Sequence, residues 1–246
     1  MALDKIKVPS VREAFVQEIE NKILSGELKV GDRLPPAREL CRIMSVSLTV
    51  VNAGVSELAS IGFLEVRPRR GTYVADYKLN GKTEAFAAVM RYNGGKMDDH
   101  EIRSCCESRI ALDSYVAKLA IDRAGDEQIA QLGGYAEKLQ GITDADEFCA
   151  AIMDFYHKLY SMSDNTFLIL LFNSTVEPQK GIYSVYFKKN GLASTVASTQ
   201  RIYECIAARD AETAGRYLLE AVNSAISGET SILKDQDLSQ TVGEAF

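Results

Sequence analysis

Apolar residues recur at helical spacing along nearly the whole chain, and the only strand-like stretch is short and lies near residue 70. Val11, Phe15, Ile19 and Ile23 stand four apart and predict a first helix. Ser10 opens it, with Glu13 at the reciprocal position of a capping box, and Gly26 ends it. Leu28 to Leu34 contains Gly31-Asp32 and reads as a turn or brief strand. Pro35-Pro36 forces an extended approach and starts a second helix from Ala37 to about Met44, with Leu40 and Ile43 inward. Ser47 caps a third helix, Leu48 to Ile61, which buries Val51, Val55 and Leu58 and stops at Gly62. Phe63 to Val66 and Thr72 to Val74 are short strands around the basic turn Arg67-Pro-Arg-Arg-Gly71.

Beyond a polar, glycine-containing stretch at 77–83, the pattern is helical throughout. Helices are predicted near 84–92, 98–124, 126–140, 144–163, 165–188, 191–208 and 210–228. Asp126 and Asp144 (or Thr143) are candidate N-caps, and Asp164-Asn165 separates two apolar helices. Pro178 and Gly181 are expected to kink or split the fifth of these helices. The fold class is therefore mainly α. Residues 1–76 form a winged helix-turn-helix of three helices plus a β-hairpin, 77–83 a linker, 84–234 an all-α antiparallel bundle of seven helices, and 235–246 a flexible tail.

Composition narrows the class of protein. The apolar fraction of 46% supports packed cores, and no apolar run approaches membrane-spanning length. Met1 to Lys7 lacks the apolar stretch of a signal peptide. Five cysteines without C-x-x-C spacing suit a reducing cytoplasm, not a disulfide or zinc framework. Net charge is -6, but residues 1–78 hold 12 Lys and Arg against 10 Asp and Glu, and the remainder 16 against 24. A mildly basic N-terminal part on an acidic protein fits a local phosphate-binding surface.

A winged helix directs its third helix into the major groove, N-terminal residues nearest the bases. Ser47 and Thr49 stand at that end and can bond phosphate or base edges. Arg38 and the wing residues Arg67, Arg69, Arg70 and Gly71 add phosphate contacts, and a wing arginine can enter a minor groove. Any one of these arginines read alone is a solvated turn residue or a surface ion pair. The ordered pattern of elements favours DNA contact for the set.

Two residues of the bundle stand in apolar stripes. Arg109 recurs with Ile102, Cys105, Leu112, Val116 and Leu119 at spacings of three and four, so its guanidinium needs a partner. That partner is Asp113, four residues on, or a carboxylate or phosphate ligand, or both in turn. His157 shares a stripe with Ala150, Met153 and Tyr160, and is either a hydrogen-bonded core histidine or a ligand contact.

The runs Leu34-Pro-Pro-Ala-Arg-Glu-Leu40, Val46-Ser-Leu-Thr-Val-Val51 and Gly71-Thr-Tyr-Val74 resemble the GntR family of bacterial transcriptional regulators over residues 8 to 76. The resemblance implies that Arg38 and the start of the third helix touch DNA. The two recognition-helix positions usually held by arginine are Leu48 and Asn52 here, and a usual wing glycine is Arg69. Leu48 can meet a thymine methyl but cannot read guanine bidentately, so either an operator that differs from the common consensus or a weaker base readout offset by the wing is expected.

Arg109-Ile-Ala-Leu-Asp113, Asp154-Phe-Tyr-His157 with Ser163-Asp-Asn165, and Ile206-Ala-Ala-Arg-Asp210 with Ala214 resemble the ligand-binding domain of the FadR-type branch of that family. Many members of the branch hold a divalent metal with one Asp and three His. The corresponding positions here are Met153, His157, Thr199 and Ala221, a poor set of ligands, so no metal and no cofactor are expected. The resemblance then implies direct binding of an effector, with Met153, Tyr156, Tyr160, Thr199 and Tyr203 lining a semi-apolar pocket and Arg109 and His157 as its polar anchors.

The chain is thus expected to be a cytoplasmic, homodimeric regulator, a repressor by family habit. It would bind palindromic double-stranded DNA and sense a small, anionic metabolite, with no membrane partner. Two rivals stand beside this. One is a DNA-binding dimer with a vestigial pocket, which a co-purifying ligand would exclude. The other is an all-helical enzyme fused to a DNA-binding module; no nucleophile elbow, P-loop, H-E-x-x-H or dinucleotide fingerprint occurs in the chain.

Overall fold

The computed structural model describes residues 9–93 and 97–233. The segment Met1 to Lys7 and the expected flexible tail 235–246 lie outside the described residues. The chain divides into two compact units, Met1–Gly95 and Lys96–Phe246.

In the first unit, α1 (Val11–Leu24) opens on a two-way cap. Ser10 Oγ accepts from the Glu13 amide at 3.2 Å, and Glu13 Oε2 accepts from the Ser10 amide at 2.7 Å. The helices α2 (Ala37–Met44) and α3 (Leu48–Ile61) follow, bent by 111° across the turn at Ser45 to Ser47. That angle is the signature of a helix-turn-helix. Strand β1 (Leu64–Arg67) pairs antiparallel with β2 (Gly71–Val74), Leu64 opposite Val74 and Arg67 opposite Gly71. Phe15, Ile19, Leu40, Val51, Leu58, Phe63 and Val74 form one core. α1 meets α3 closely because residue 54 is glycine: a Cβ there would stand 2.3 Å from Phe15 Cδ1. Ile43, expected inward, is 59% exposed, since α2 is only two turns long and buries Leu40 alone.

The expected linker is not free chain. Tyr77–Asn80 forms a short helix, α4, and the Tyr77 ring packs on Phe63 with centroids 5.0 Å apart. The Lys82 amide donates to the Ile61 carbonyl at 3.0 Å. α5 (Thr83–Tyr92), assigned by pattern to the bundle, instead packs on α1 and α3 and buries Ala85 and Ala88 in the N-terminal core. Arg91 of α5 reaches Glu20 of α1 at 3.3 Å. Glu20 is buried, and that burial raises its carboxyl above the usual range despite Arg91.

The second unit holds α6 (Asp99–Arg123), α7 (Asp126–Lys138) with a 3-10 turn to Gly141, α8 (Ala145–Met162), α9 (Thr166–Asn190), α10 (Ala193–Ala207) and α11 (Ala211–Asn223). α6 packs on α11 and α8, α8 on α9 and α7, and α10 on α11 and α7. Phe148, Phe155, Leu132, Ile152, Leu159, Ile202 and Ile206 are fully buried. Pro178 does not split α9, which runs through it. Its missing N–H frees one carbonyl, and buried Phe172 and Ile182 on either side hold the two halves in place. Asp126 is the first residue of α7 and not its cap, a position Gly125 takes, which leaves the Asp126 carboxylate to pair with Arg209 at 2.7 Å.

α11 ends earlier than its pattern suggests, and the chain to Leu233 folds back instead. Thr230 Oγ1 donates to the Ser224 carbonyl at 2.9 Å, Asn190 Nδ2 to the Thr230 carbonyl at 2.8 Å, and Lys189 Nζ to the Ser231 carbonyl. Among the described residues no single helix is long and apolar enough to cross a membrane.

Candidate nucleic-acid interface and effector cavity

The start of α3 is built for presentation. Ser45 takes a left-handed conformation (φ 54°), which turns the chain sharply out of α2. Ser47 Oγ then accepts from the Val50 amide at 3.3 Å and fixes the first turn, keeping its own proton to donate. Ser47, Leu48, Thr49 and Asn52 are all exposed on that face, as is Arg38 on α2. Leu48 is 46% exposed, an apolar group held out to solvent at the head of a helix.

The wing arginines differ from one another. Arg67 donates to Glu65 Oε2 at 2.7 Å and lies 4.5 Å over the Tyr73 ring. The hydrogen bond from Arg67 holds the Glu65 carboxyl below its usual range and raises the Arg67 guanidinium in return. Arg69 and Arg70 are exposed at the tip. Arg69 occupies the left-handed region (φ 62°), which explains why glycine is usual at this place. Arg33, which the pattern leaves in a turn, lies against the wing. Its Nε stands 2.8 Å from where a Cβ on Gly71 would be, so Gly71 (φ 121°) serves both the turn and the seat of Arg33. No periodicity marks Arg33. Only its position before Leu34 and the Arg33–Tyr73 bridge bring it here.

In the second unit a cavity of about 260 Å³ lies among α6, α8, α9, α10 and α11, bordered by the fold-back at Thr230. Arg109 enters it from α6. Its Nε donates to Asp113 Oδ2 at 3.0 Å and its Nη1 to Tyr183 Oη at 2.9 Å. The guanidinium carbon is 4.5 Å from the Tyr156 ring centre and 5.3 Å from that of Tyr183. Nη2 lies 2.9 Å from Asp113 Oδ2 in an ion pair but makes no well-aligned hydrogen bond, which leaves it donor capacity. Burial works to lower the pKa of this guanidinium, but Asp113 and the two tyrosines outweigh it and hold it well above the usual value. Asp113 is 2% exposed and takes a second bond from Tyr160 Oη at 2.7 Å. Burial pushes the Cys106 thiol on the same wall up to about 12, so it stays protonated.

Of the expected pocket residues, Arg109, Tyr156 and Thr199 line this cavity. Four do not. His157 is exposed and rests on Phe172, with ring centres 6.0 Å apart, because one helical position beyond Tyr156 turns it about a hundred degrees away. Met153 is core filling, 4% exposed. Tyr160 holds Asp113 and so acts behind the wall. Tyr203 packs over Gly133 of α7, where a Cβ would come within 2.5 Å of its hydroxyl. Gln179, Tyr183 and Tyr186 of α9 line the cavity without having been foreseen; their signal was a run of polar and aromatic residues beside Pro178. The residues present do not fit a divalent metal. Thr199 and Ala221 face the cavity without a suitable donor, and no group of three His, Cys, Asp or Glu assembles among the described residues.

Residues 7–74 match the family model of bacterial regulatory proteins, gntR family, and residues 105–224 match the FCD domain. The chain belongs to the GntR family. Its FCD match places it in the FadR-type branch. It is 30% identical over 132 residues to the HTH-type transcriptional regulator Mce2R of Mycobacterium tuberculosis, 54% of each chain. The GntR chain thus spans about half the length of the first curated relatives it matches. It is 28% identical over 218 residues to the HTH-type transcriptional regulator LutR of Bacillus subtilis, covering 84% of this chain and 96% of that one. Among solved structures, that of Lar, described as controlling expression of the Listeria monocytogenes agr system, has a TM-score of 0.57 at 17% identity. That likeness covers 89% of this GntR chain and 95% of Lar, and it shows the fold alone.

Proposed function

We propose that this GntR chain is a sequence-specific DNA-binding transcriptional repressor, a cytoplasmic homodimer whose second unit senses a small metabolite. One observation carries the reading. The head of α3 holds Ser47, Leu48, Thr49 and Asn52 out to solvent in a helix-turn-helix bent by 111°, in the unit that matches the gntR model. Leu48 meets a thymine methyl, Thr49 and Asn52 contact base edges, and Ser47, Arg38, Arg69, Arg70 and the backbone at Gly71 fix phosphates. Arg67 is a weaker phosphate contact, because Glu65 already neutralises it.

The cavity of the second unit is the effector site. Binding there favours one dimer geometry, in which two recognition helices do or do not fit successive major grooves roughly 34 Å apart. Arg109 suggested an anion as effector. The Asp113 pair already supplies a counter-charge, so the reading keeps Arg109 as an anchor without requiring an anion. Unpartnered buried atoms at the cavity, Arg109 Nη2 and Gln179 Oε1, argue against a vestigial pocket.

The test is binding of the purified chain to its own upstream intergenic DNA across a salt series, with a scrambled duplex as control. Tight, selective binding that weakens steeply with salt is expected. Equal binding to the scrambled duplex throughout the series would sink the reading.

A further inference from the structure

Three buried side-chain polar atoms among the described residues lack a hydrogen-bond partner, and two of them belong to residues that line the cavity of the second unit. These are Nη2 of Arg109, a donor, and Oε1 of Gln179, an acceptor. The orientation of the Gln179 amide is determined by its neighbour. Thr175 Oγ1 gives its proton to the Phe172 carbonyl at 2.9 Å and so can only accept from Gln179, whose Nε2 stands 2.8 Å away. The free end of Gln179 is therefore the carbonyl oxygen. Both residues are more than nine-tenths buried, Gln179 5% and Arg109 9% exposed. Buried groups left without partners cost stability, so two of them lining one cavity call for a partner there, which a bound ligand supplies.

The charges around the cavity cancel. Asp113 sits on the Arg109 guanidinium, and the remaining charged lining residues, Arg201 and Glu220, are opposite in sign. A ligand carboxylate would share one buried guanidinium with Asp113 and repel it across a dry site. A ligand ammonium would find only a neutral amide oxygen as its free buried acceptor. Hydroxyl groups satisfy both atoms, accepting with their oxygen and donating with their proton. A volume of about 260 Å³ lies at the small end of ligand pockets and fits a monosaccharide-sized molecule.

We propose that the cavity takes a neutral polyhydroxylated molecule of monosaccharide size, one hydroxyl oxygen accepting from Arg109 Nη2 and one hydroxyl proton donated to Gln179 Oε1. This rests on the reading of the cavity as the effector site. Gln179 is then the acceptor of the ligand's hydroxyl proton, and the cationic Arg109 beside it disfavours an ammonium.

The experiment is thermal-shift and calorimetric titration of the full chain with D-glucose, D-mannitol and myo-inositol. D-gluconate and citrate serve as anionic probes and L-serine as a zwitterion. At least one neutral probe is expected to raise Tm, and Gln179→Leu to weaken it about tenfold, the loss of one buried hydrogen bond. Gln179→Leu alone should leave Tm nearly unchanged, since the lost Nε2 bond to Thr175 is offset by removal of an unpaired buried acceptor. Gln179→Met serves if the branched side chain prevents folding. Silence from all three neutral probes overturns the assignment. So does binding of gluconate, citrate or serine that Gln179→Leu weakens, though that outcome leaves the effector reading standing. A neutral probe that binds through Gln179 yet leaves DNA affinity unchanged supports the site and counts against the effector reading, so the two fail separately.

Discussion

Arg69 carries two opposed demands in one residue. Its left-handed backbone favours glycine, while its exposed charge is proposed to meet a phosphate. Arg69→Gly is expected to stabilise the hairpin by about 1 kcal/mol in urea unfolding while weakening DNA binding and lowering the salt slope by about one. Arg70→Ala should lower the slope likewise, and Arg67→Ala by less, because Glu65 already holds Arg67 at 2.7 Å. Equal slope losses at 67 and 70 would mean that the Glu65 pair opens on binding. In the second unit, Asp113→Asn leaves a buried guanidinium without its counter-charge and is expected to cost about 3–5 kcal/mol. Most of that loss should return in the Arg109→Met, Asp113→Leu pair, read as a double-mutant cycle.

At the scale of elements, packing of α1 against α3 depends on the missing side chain of Gly54, where a Cβ would lie 2.3 Å from Phe15. Gly54→Ala is expected to destabilise the first unit by about 1–3 kcal/mol, although alanine is the better helix former. The seam of α1 and α5 adds a pH dependence. Burial raises Glu20 above its usual value of 4.5, so the folded unit takes up a proton more readily than the unfolded chain. That contribution is full below 4.5 and is lost as pH rises through the raised value. Glu20→Gln, which keeps a partner for Arg91, should flatten this part of the stability profile and raise stability at neutral pH. A steeper profile in the variant would show that the ion pair outweighs its desolvation.

For the whole molecule, the two halves differ in what their surfaces offer. The first unit presents its polar and basic residues outward at the head of α3 and the wing, and the second turns Arg109 and Gln179 inward. A regulator needs this division, because DNA contact rests on solvated charge and effector binding on desolvated hydrogen bonds. Leu48→Arg tests the outward half. It restores a bidentate donor and should shift preference toward sites with guanine at the contacted position, by about 1–3 kcal/mol in competition binding.

The sequence by itself determined most of the elements. Capping residues, glycine stops and apolar periodicity fix α1 to α3, the hairpin and the helices after residue 98 to within a few residues, because these signals act over one or two turns. The exposed residues at the head of α3 and on the hairpin, proposed to face DNA, were legible for the same reason, lying close together along the chain. What the tertiary structure decided depends on distance. Periodicity cannot say which core an amphipathic helix joins, so α5 was assigned to the bundle while Ala85 and Ala88 complete the first unit. Nor can it tell a cavity wall from the layer behind it: Tyr160 and Tyr156 share one helix, yet one holds Asp113 and the other faces the cavity. Gln179 and Tyr183 meet Arg109 across some seventy residues of chain, a contact that only packing brings about.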